Sequence, residues 1–276
     1  MKSQIPIDAL TGLLDRIRID AQLYKHRDYC GDWAIDTSGS GLIPFHFIDK
    51  GSGWLHVKGL PPQLLQAGDF VLFPRDLPHQ ISNEKSPPQP ELINTESSSD
   101  KEGAFTSILC GFYECRSPAI QPLLDDLPGI LLITNARNNP TTAGIGYVID
   151  AALLELEHDS PGRSSALRDL ARLLFLHVLR DRIAKGQSEH FLAALGDKQI
   201  GKALSMIHND YGRELTLETL AQASGMSRSA FCDKFNALVG TSPNRYLTTW
   251  RMQEATTLLE STELSVEQIA ERCGYR

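Results

Sequence analysis

No apolar run in the chain approaches the roughly 20 residues that a membrane-spanning helix requires, which excludes a helical bilayer span. Nor is there an excess of positive charge. The formal net charge is −7, and from residue 196 onward nine Lys and Arg stand against ten Asp and Glu. Any affinity for nucleic acid that comes from neutralising phosphates is therefore expected to be weak and very sensitive to salt. Cysteine is scarce: five residues, an odd number with no repeating spacing. That usage argues against a disulfide framework and for reduced thiols in a cytoplasm. The opening MKSQIPIDALTGLLDRIRID is amphipathic and carries acids, unlike a signal or transit peptide. What is present, 41% hydrophobic residues in a chain of 276, suits two globular domains with sizeable cores.

The most informative stretch is residues 215–250, LTLETLAQASGMSRSAFCDKFNALVGTSPNRYLTTW. Leu217, Leu220 and Ala221 follow Thr216 at helical spacing, and threonine caps helix N-termini. Gly225 marks a turn, after which Ser227 caps a second helix with Phe231, Phe235 and Leu238 on its apolar side. Two short helices joined by so tight a glycine turn form either an ordinary helical hairpin or a helix-turn-helix, whose second helix enters the DNA major groove. In the latter case Arg228, Ser229, Cys232 and Asp233, with the cap Ser227, are the candidate base readers. A long amphipathic helix follows over 242–259, with Pro243 in its first turn. Residues 264–274, LSVEQIAERCG, then repeat the first unit: Ser265 as cap, Val266, Ile269 and Ala270 as the buried stripe, Gly274 at the turn.

Toward the N-terminus, Leu10, Leu13, Leu14 and Ile17 predict a short helix packed onto the sheet that follows. From Ala21 onward come short runs rich in aromatic and β-branched residues: AQLYKH, DWAID, PFHFID, GWLHV, DFVLFP, HQIS and FTSILCGFYEC. Their regular spacing predicts an all-β sandwich or barrel, in which Trp33 and Trp54 belong to the core or a pocket wall. The polar, proline-rich residues 83–103 are expected to form a solvated, mobile loop. Helical patterns follow near 147–158 and over 164–184, the second with Leu167, Leu170, Leu174, Val178 and Ile183 in line. That stripe is covered either by the barrel or by a second copy of the chain. Gly186, Gln187 and Ser188 mark a linker.

The C-terminal motifs LAQASGMSRSAFCDKFNALVGTSPNRYLTTWRMQEATTLL and SVEQIAERCGYR resemble those of the AraC/XylS family of bacterial transcription regulators. The resemblance implies a DNA-binding domain that reads promoter DNA through Ser229, Cys232 and Asp233, dimerisation through the helices of residues 121–188, and RNA polymerase as a further partner. The family's second recognition helix would begin where the chain stops at Arg276, so the sequence looks like a fragment of a longer protein. In GDFVLFPRDLPHQISN, Gly68, Pro74, His79 and Asn83 resemble the second motif of the cupin barrels, G-x5-P-x-G-x2-H-x3-N, with Asp76 in place of the middle glycine. The first cupin motif, which supplies two histidines and a glutamate to a metal site, is not matched: Pro44 falls at the glutamate position and small residues fall near the histidine positions.

His46 lies two residues beyond that position, on the same inward face by strand alternation, where it would approach His79. The pair is either a hydrogen-bonded core contact or, with His56 or a cysteine, a site for zinc or nickel; a lined barrel would equally suit a small effector. Cys30 and the Cys110-Gly111 pair resemble the cysteines of an AraC-like subgroup that responds to oxidants such as hypochlorous acid, with His26 and Arg27 lending positive charge. Buried, inert cysteines are the other reading.

These observations predict an α+β two-domain chain: a cupin-like β-barrel over 1–120, a helical dimerisation region over 121–188 and an all-α helix-turn-helix domain over 189–276, its second motif incomplete. They point to a cytoplasmic homodimeric transcription regulator of double-stranded promoter DNA, responsive to a small effector or an oxidant. The alternative is a metal-dependent cupin enzyme, an isomerase or dioxygenase, with a helical accessory domain.

Overall fold

The computed structural model describes residues 8–17, 19–95, 105–115, 117, 120–186 and 190–275. They fall into two compact units, one of Ile19–Glu114 and Leu127–Asp181, the other of Met1–Arg18, Cys115–Asp126 and Arg182–Arg276.

The first unit is built on β1 (Ile19–Cys30), β2 (Ala34–Ile35), β3 (Ile43–Lys50), β4 (Ser52–Val57), β5 (Gln63–Gln66), β6 (Phe70–Leu72), β7 (His79–Ser82), β8 (Phe105–Cys115) and β9 (Leu131–Ile133). They form a five-stranded sheet in the order β1-β8-β3-β6-β9 and a four-stranded sheet in the order β2-β7-β4-β5. The expected barrel is therefore a pair of open sheets rather than a closed ring. Tyr29, Ile48, Ile108 and Cys110 of one sheet pack with Ile35, Leu55, Leu65 and Ile81 of the other. β4 alternates as a half-buried strand should, whereas β3 is buried on both faces. The outward residues of β3 account for the difference. Phe45 stacks on Tyr113, which in turn meets Phe175 of helix α4 (Arg163–Ala184).

The glycine-proline-histidine-asparagine motif is fitted into this frame. Gly68, at φ 95°, donates to the Ile48 carbonyl and accepts from Ala136, a backbone shape that favours glycine. Asp76, standing at the motif's middle glycine, adopts φ 49° and holds the Gly41 N–H with Oδ2 at 2.6 Å. Aspartate tolerates this left-handed conformation because a short side chain can bond nearby backbone. Asn83 Oδ1 accepts the Trp33 N–H at 3.0 Å and so ties β7 to the start of β2.

Helix α3 (Ala143–Glu157) and α4 lie beyond the sheets in sequence. Leu167, Leu174 and Val178 of the expected stripe are buried with Phe175, while Leu170 and Ile183 are half buried. Tyr147 and Leu154, one heptad apart on α3, are 75% and 61% exposed.

The second unit holds α1 (Ala9–Arg16), α2 (Gln121–Asp126), α5 (Phe191–Gly196), α6 (Ile200–Asp210), α7 (Leu217–Ala223), α8 (Arg228–Val239), α9 (Pro243–Ser261) and α10 (Val266–Arg272). Thr216, Ser227, Ser242 and Ser265 each cap the helix that follows, and Ser265 with Gln268 completes a capping box. α5 and α6 pack on α8. Two expectations need correction. α1 buries Leu10, Leu13 and Ile17 as expected, but its partners are α5 and α6, not the sheet that follows it in sequence. In α10, Ile269 is buried but Val266 is 74% exposed, so the stripe is narrower than its spacing suggested. The expected linker at Gln187 and Ser188 and the last part of the expected loop, residues 96–103, lie outside the described residues. The described part of that loop is pinned: the Asn94 N–H reaches the Ala34 carbonyl at 2.8 Å, and its side chain exchanges hydrogen bonds with the Asp36 backbone at 2.9 and 3.1 Å.

Candidate functional site

Two places collect the chemistry. The first is the outer side of α8. Ser224, Gly225 and Met226 make the turn that precedes it, Gly225 at φ 65° with open space around it. The Met226 N–H returns to the Ala221 carbonyl at 3.0 Å, closing α7. Phe231 and Phe235 are fully buried and anchor the inner side, while Leu238 is only half buried. Ser229, Asp233 and Asn236 are exposed along the opposite side at spacings of four and three, with Cys232 half buried at its edge. Ser227 is occupied as the cap, its hydroxyl 3.4 Å from the Ala230 N–H. Arg228 pairs with Glu218 of α7 at 2.8 Å, and Lys234 pairs with Asp197 at 2.7 Å. Two cations of this helix are thus already compensated. Asn236, with one amide that both donates and accepts, was missed from sequence; the same periodicity that selected Ser229 and Asp233 reaches it at the next turn.

The second place is the interior of the sheet unit. His46 and Cys110 are directly paired across β3 and β8, which puts Cys110 Sγ 3.2 Å from His46 Nδ1. On the other side of the ring, His46 Nε2 lies 3.2 Å from His79 Nε2, and Thr37 Oγ1 lies 3.0 Å and 3.1 Å from the two nitrogens. His79 stacks on Phe73, and its Nδ1 donates to the Leu77 carbonyl at 2.7 Å. Burial, and then the neighbouring His79, hold the pKa of His46 well below that of a free histidine. Burial also lowers His79, opposed by the Leu77 carbonyl and by Asp36 and Asp76. Strand alternation thus brought the two expected histidines together. His56 is not with them. It points off the other side of β4, its Nε2 2.9 Å from Ser82 Oγ and 3.1 Å from the Glu84 carbonyl. Among the described residues no three His, Cys, Asp or Glu side chains are arranged to hold a metal ion, and Cys110 faces the wrong nitrogen of His46 to share an ion with His79.

Beside this cluster is a cavity of about 370 Å³ lined by Tyr24, Tyr29, Ile35, Leu42, Pro44, Cys110 and Phe112, with Asp36, Thr37, Ser40 and Asn94 supplying its polar part. Burial, and then the charge Cys110 would carry as a thiolate, raise the phenol pKa values of Tyr24 and Tyr29, so both remain hydroxyls. Thr37 and Asn94 gave no sequence signal because both sit on irregular chain. None of the five sulfurs is in a disulfide. Tyr29 joins the core that contains Cys110, so Cys30, the next residue on the strand, faces the opposite way. The two cysteines are not brought together. His26 and Arg27 are engaged elsewhere, His26 with Ser107 and Asp49 and Arg27 over the Tyr29 ring.

A cupin family model matches residues 8–184, and a helix-turn-helix domain model matches residues 220–276. The HTH-type transcriptional regulator AlkR of Acinetobacter baylyi is 28% identical over 281 residues, 98% of this chain and 92% of that protein. A putative AraC-like transcription regulator of Streptomyces lividans is 27% identical over 277 residues, 97% and 89% of the two chains. The RCS-specific HTH-type transcriptional activator RclR of Escherichia coli is 25% identical over 272 residues, 98% and 89%. These relatives are regulators rather than enzymes, which sets aside the isomerase or dioxygenase reading. The chain belongs to the cupin family and, with a DNA-binding helix-turn-helix domain after its cupin domain, it is an AraC-like transcription regulator.

Proposed function

We propose that the chain recognises promoter DNA through the exposed line Ser229, Asp233 and Asn236 of α8, and that a small effector in the sheet-unit cavity controls this recognition. The observation that carries the reading is the two-sidedness of α8: Phe231 and Phe235 seal one side, while the other presents short polar groups and no packing partner among the described residues of its unit. With Arg228 and Lys234 already paired, phosphate attraction contributes little, and specificity rests on base edges. The effector would be mostly apolar with one polar end, to match the aromatic and aliphatic wall and the Asp36, Thr37, Ser40 and Asn94 rim. It acts only as far as it binds one arrangement of the protein better than another. Tyr147 and Leu154 support a homodimer formed through α3, which would match paired DNA half-sites. Cytoplasmic location and contact with RNA polymerase complete the reading. Titrating a labelled promoter duplex and a scrambled duplex at increasing salt tests it. The promoter should be preferred at every salt concentration, and equal affinity for the two duplexes overturns it.

A second reading, oxidant sensing, is favoured by Cys110, a residue of the cavity lining whose sulfur touches His46. Its reactive group is then Cys110 alone, since Cys30 points the other way. Mass spectrometry after mild hypochlorite treatment should find oxygen added at Cys110 before any Cys30 to Cys110 link; an unmodified Cys110 in a responding protein ends this reading.

A further inference from the structure

The second unit holds a cavity of about 310 Å³ between the end of α8, one face of α9 and Pro122 of α2. Arg245, Thr249 and Gln253 recur along α9 at spacings of four, beside Tyr246 and Trp250, so one helical face supplies most of the wall. Val239, Gly240 and Thr241, where α8 ends, complete it. This wall carries donors that nothing in the protein engages. Trp250 is 2% exposed, and its indole N–H is buried without a hydrogen-bond partner. An indole nitrogen can only donate, and a buried one is normally paired, so the wall lacks an acceptor. Arg245 is exposed and has no carboxylate partner among the described residues. No Asp or Glu lines the cavity, and Glu254, the acid that follows Gln253, is turned to Arg16 at 2.8 Å. The Tyr246 hydroxyl is held by His208, which leaves that ring as apolar wall.

We propose that this cavity binds a small organic monocarboxylate. Arg245 pairs with its carboxylate, the Trp250 N–H donates to one of its oxygens, and its hydrocarbon body lies against Pro122, Val239 and the Tyr246 ring. A charged acceptor answers both observations at once: it supplies the missing partner of a buried donor and meets a guanidinium with no opposing acid beside it. A bare phosphate would leave the apolar part of the wall uncovered, and an amine would face Arg245 without a counter-charge. The volume lies near the lower end of the roughly 300–1,000 Å³ range of ligand cavities, which suits a single-ring or short-chain acid. Because the last residues of α8 belong to the wall, an occupied cavity ties the DNA-reading helix to α9 and gives the DNA-binding unit an input separate from the sheet-unit cavity. That role rests on the promoter reading; occupancy of the cavity does not.

The experiment is a titration of the full chain, labelled with nitrogen-15 at tryptophan, with cyclohexanecarboxylate and without DNA, following the indole N–H resonances. The chain has three tryptophans, so three peaks are expected. Trp250→Phe identifies its own peak, and Trp33→Phe with Trp54→Phe identify it by elimination if that variant does not fold. The Trp250 peak should move downfield and saturate while the other two stay in place. Arg245→Gln should weaken binding about tenfold or more, whereas Lys198→Gln, the same change of charge elsewhere on the unit, should leave it unchanged. Cyclohexanecarboxamide, cyclohexylmethylamine and inorganic phosphate should each bind about tenfold or more weakly than the carboxylate. No saturable shift at Trp250, a shift that Arg245→Gln leaves intact, or equal binding of the amide, the amine or phosphate each overturns the proposal. Because no DNA enters the experiment, its failure leaves the promoter reading standing, and loss of promoter recognition leaves the carboxylate result standing.

Discussion

At position 208 a histidine sits fully buried between two partners: its Nδ1 donates to the Ala9 carbonyl at 2.9 Å and its Nε2 accepts from the Tyr246 hydroxyl at 2.8 Å, while its ring stacks on Trp250. Burial, with a smaller contribution from the charge of Arg16, lowers its pKa to about 4 against the Ala9 carbonyl's opposing pull. The unfolded chain takes up this proton near 6.5, so stability is complete above that pH and falls as the pH drops toward 4, by up to about 3 kcal/mol. Urea unfolding of the wild type and of His208→Gln, followed by circular dichroism between pH 7 and 4, should show a flatter pH dependence in the variant. Parallel curves would remove His208 from the explanation. Residues of this kind are partly legible. His46 and His79 were found from sequence because a strand sets which side a residue faces. His208, Thr37 and Asn94 were not, because their partners are distant in sequence or lie on irregular chain, where no periodicity points.

Among the elements, α1 shows what an amphipathic pattern does and does not encode. Its stripe of Leu10, Leu13 and Ile17 specifies a buried side but not the surface that buries it, and the surface is α6. Gly12 permits the approach: a Cβ there would lie 2.9 Å from the His208 Cβ. Arg16 then pairs at 2.8 Å with Glu254 of α9, a carboxylate that is 7% exposed, and lies over the Tyr211 ring. Arg16→Met should cost about 1–3 kcal/mol by leaving that carboxylate without its cation, and adding Glu254→Gln should recover part of the loss. Thermal unfolding of the two variants checks this, and an equal loss in both contradicts the ion-pair account. The caps were the most legible feature, since Thr216, Ser227 and Ser265 each announce a helix through local chemistry alone. The exposure of Val266 was not legible, because helical spacing marks which residues share a side but not how wide the buried band is.

For the whole molecule, the motif of Gly68, Pro74, His79 and Asn83 disclosed the family, while the openness of the two sheets depends on long-range strand pairing that no local pattern carries. The regulator reading requires that the exposed side of α8 contact bases, each good contact contributing about 1–3 kcal/mol of discrimination. The direct measurement is promoter affinity for the double variant Ser229→Ala and Asn236→Ala, with Thr256→Ala on the exposed side of α9 as control and the thermal midpoint of each monitored. The account predicts that the double variant loses at least tenfold in affinity for the promoter, keeps its affinity for scrambled DNA and melts as the wild type does. A double variant that binds the promoter as tightly as the control would contradict it.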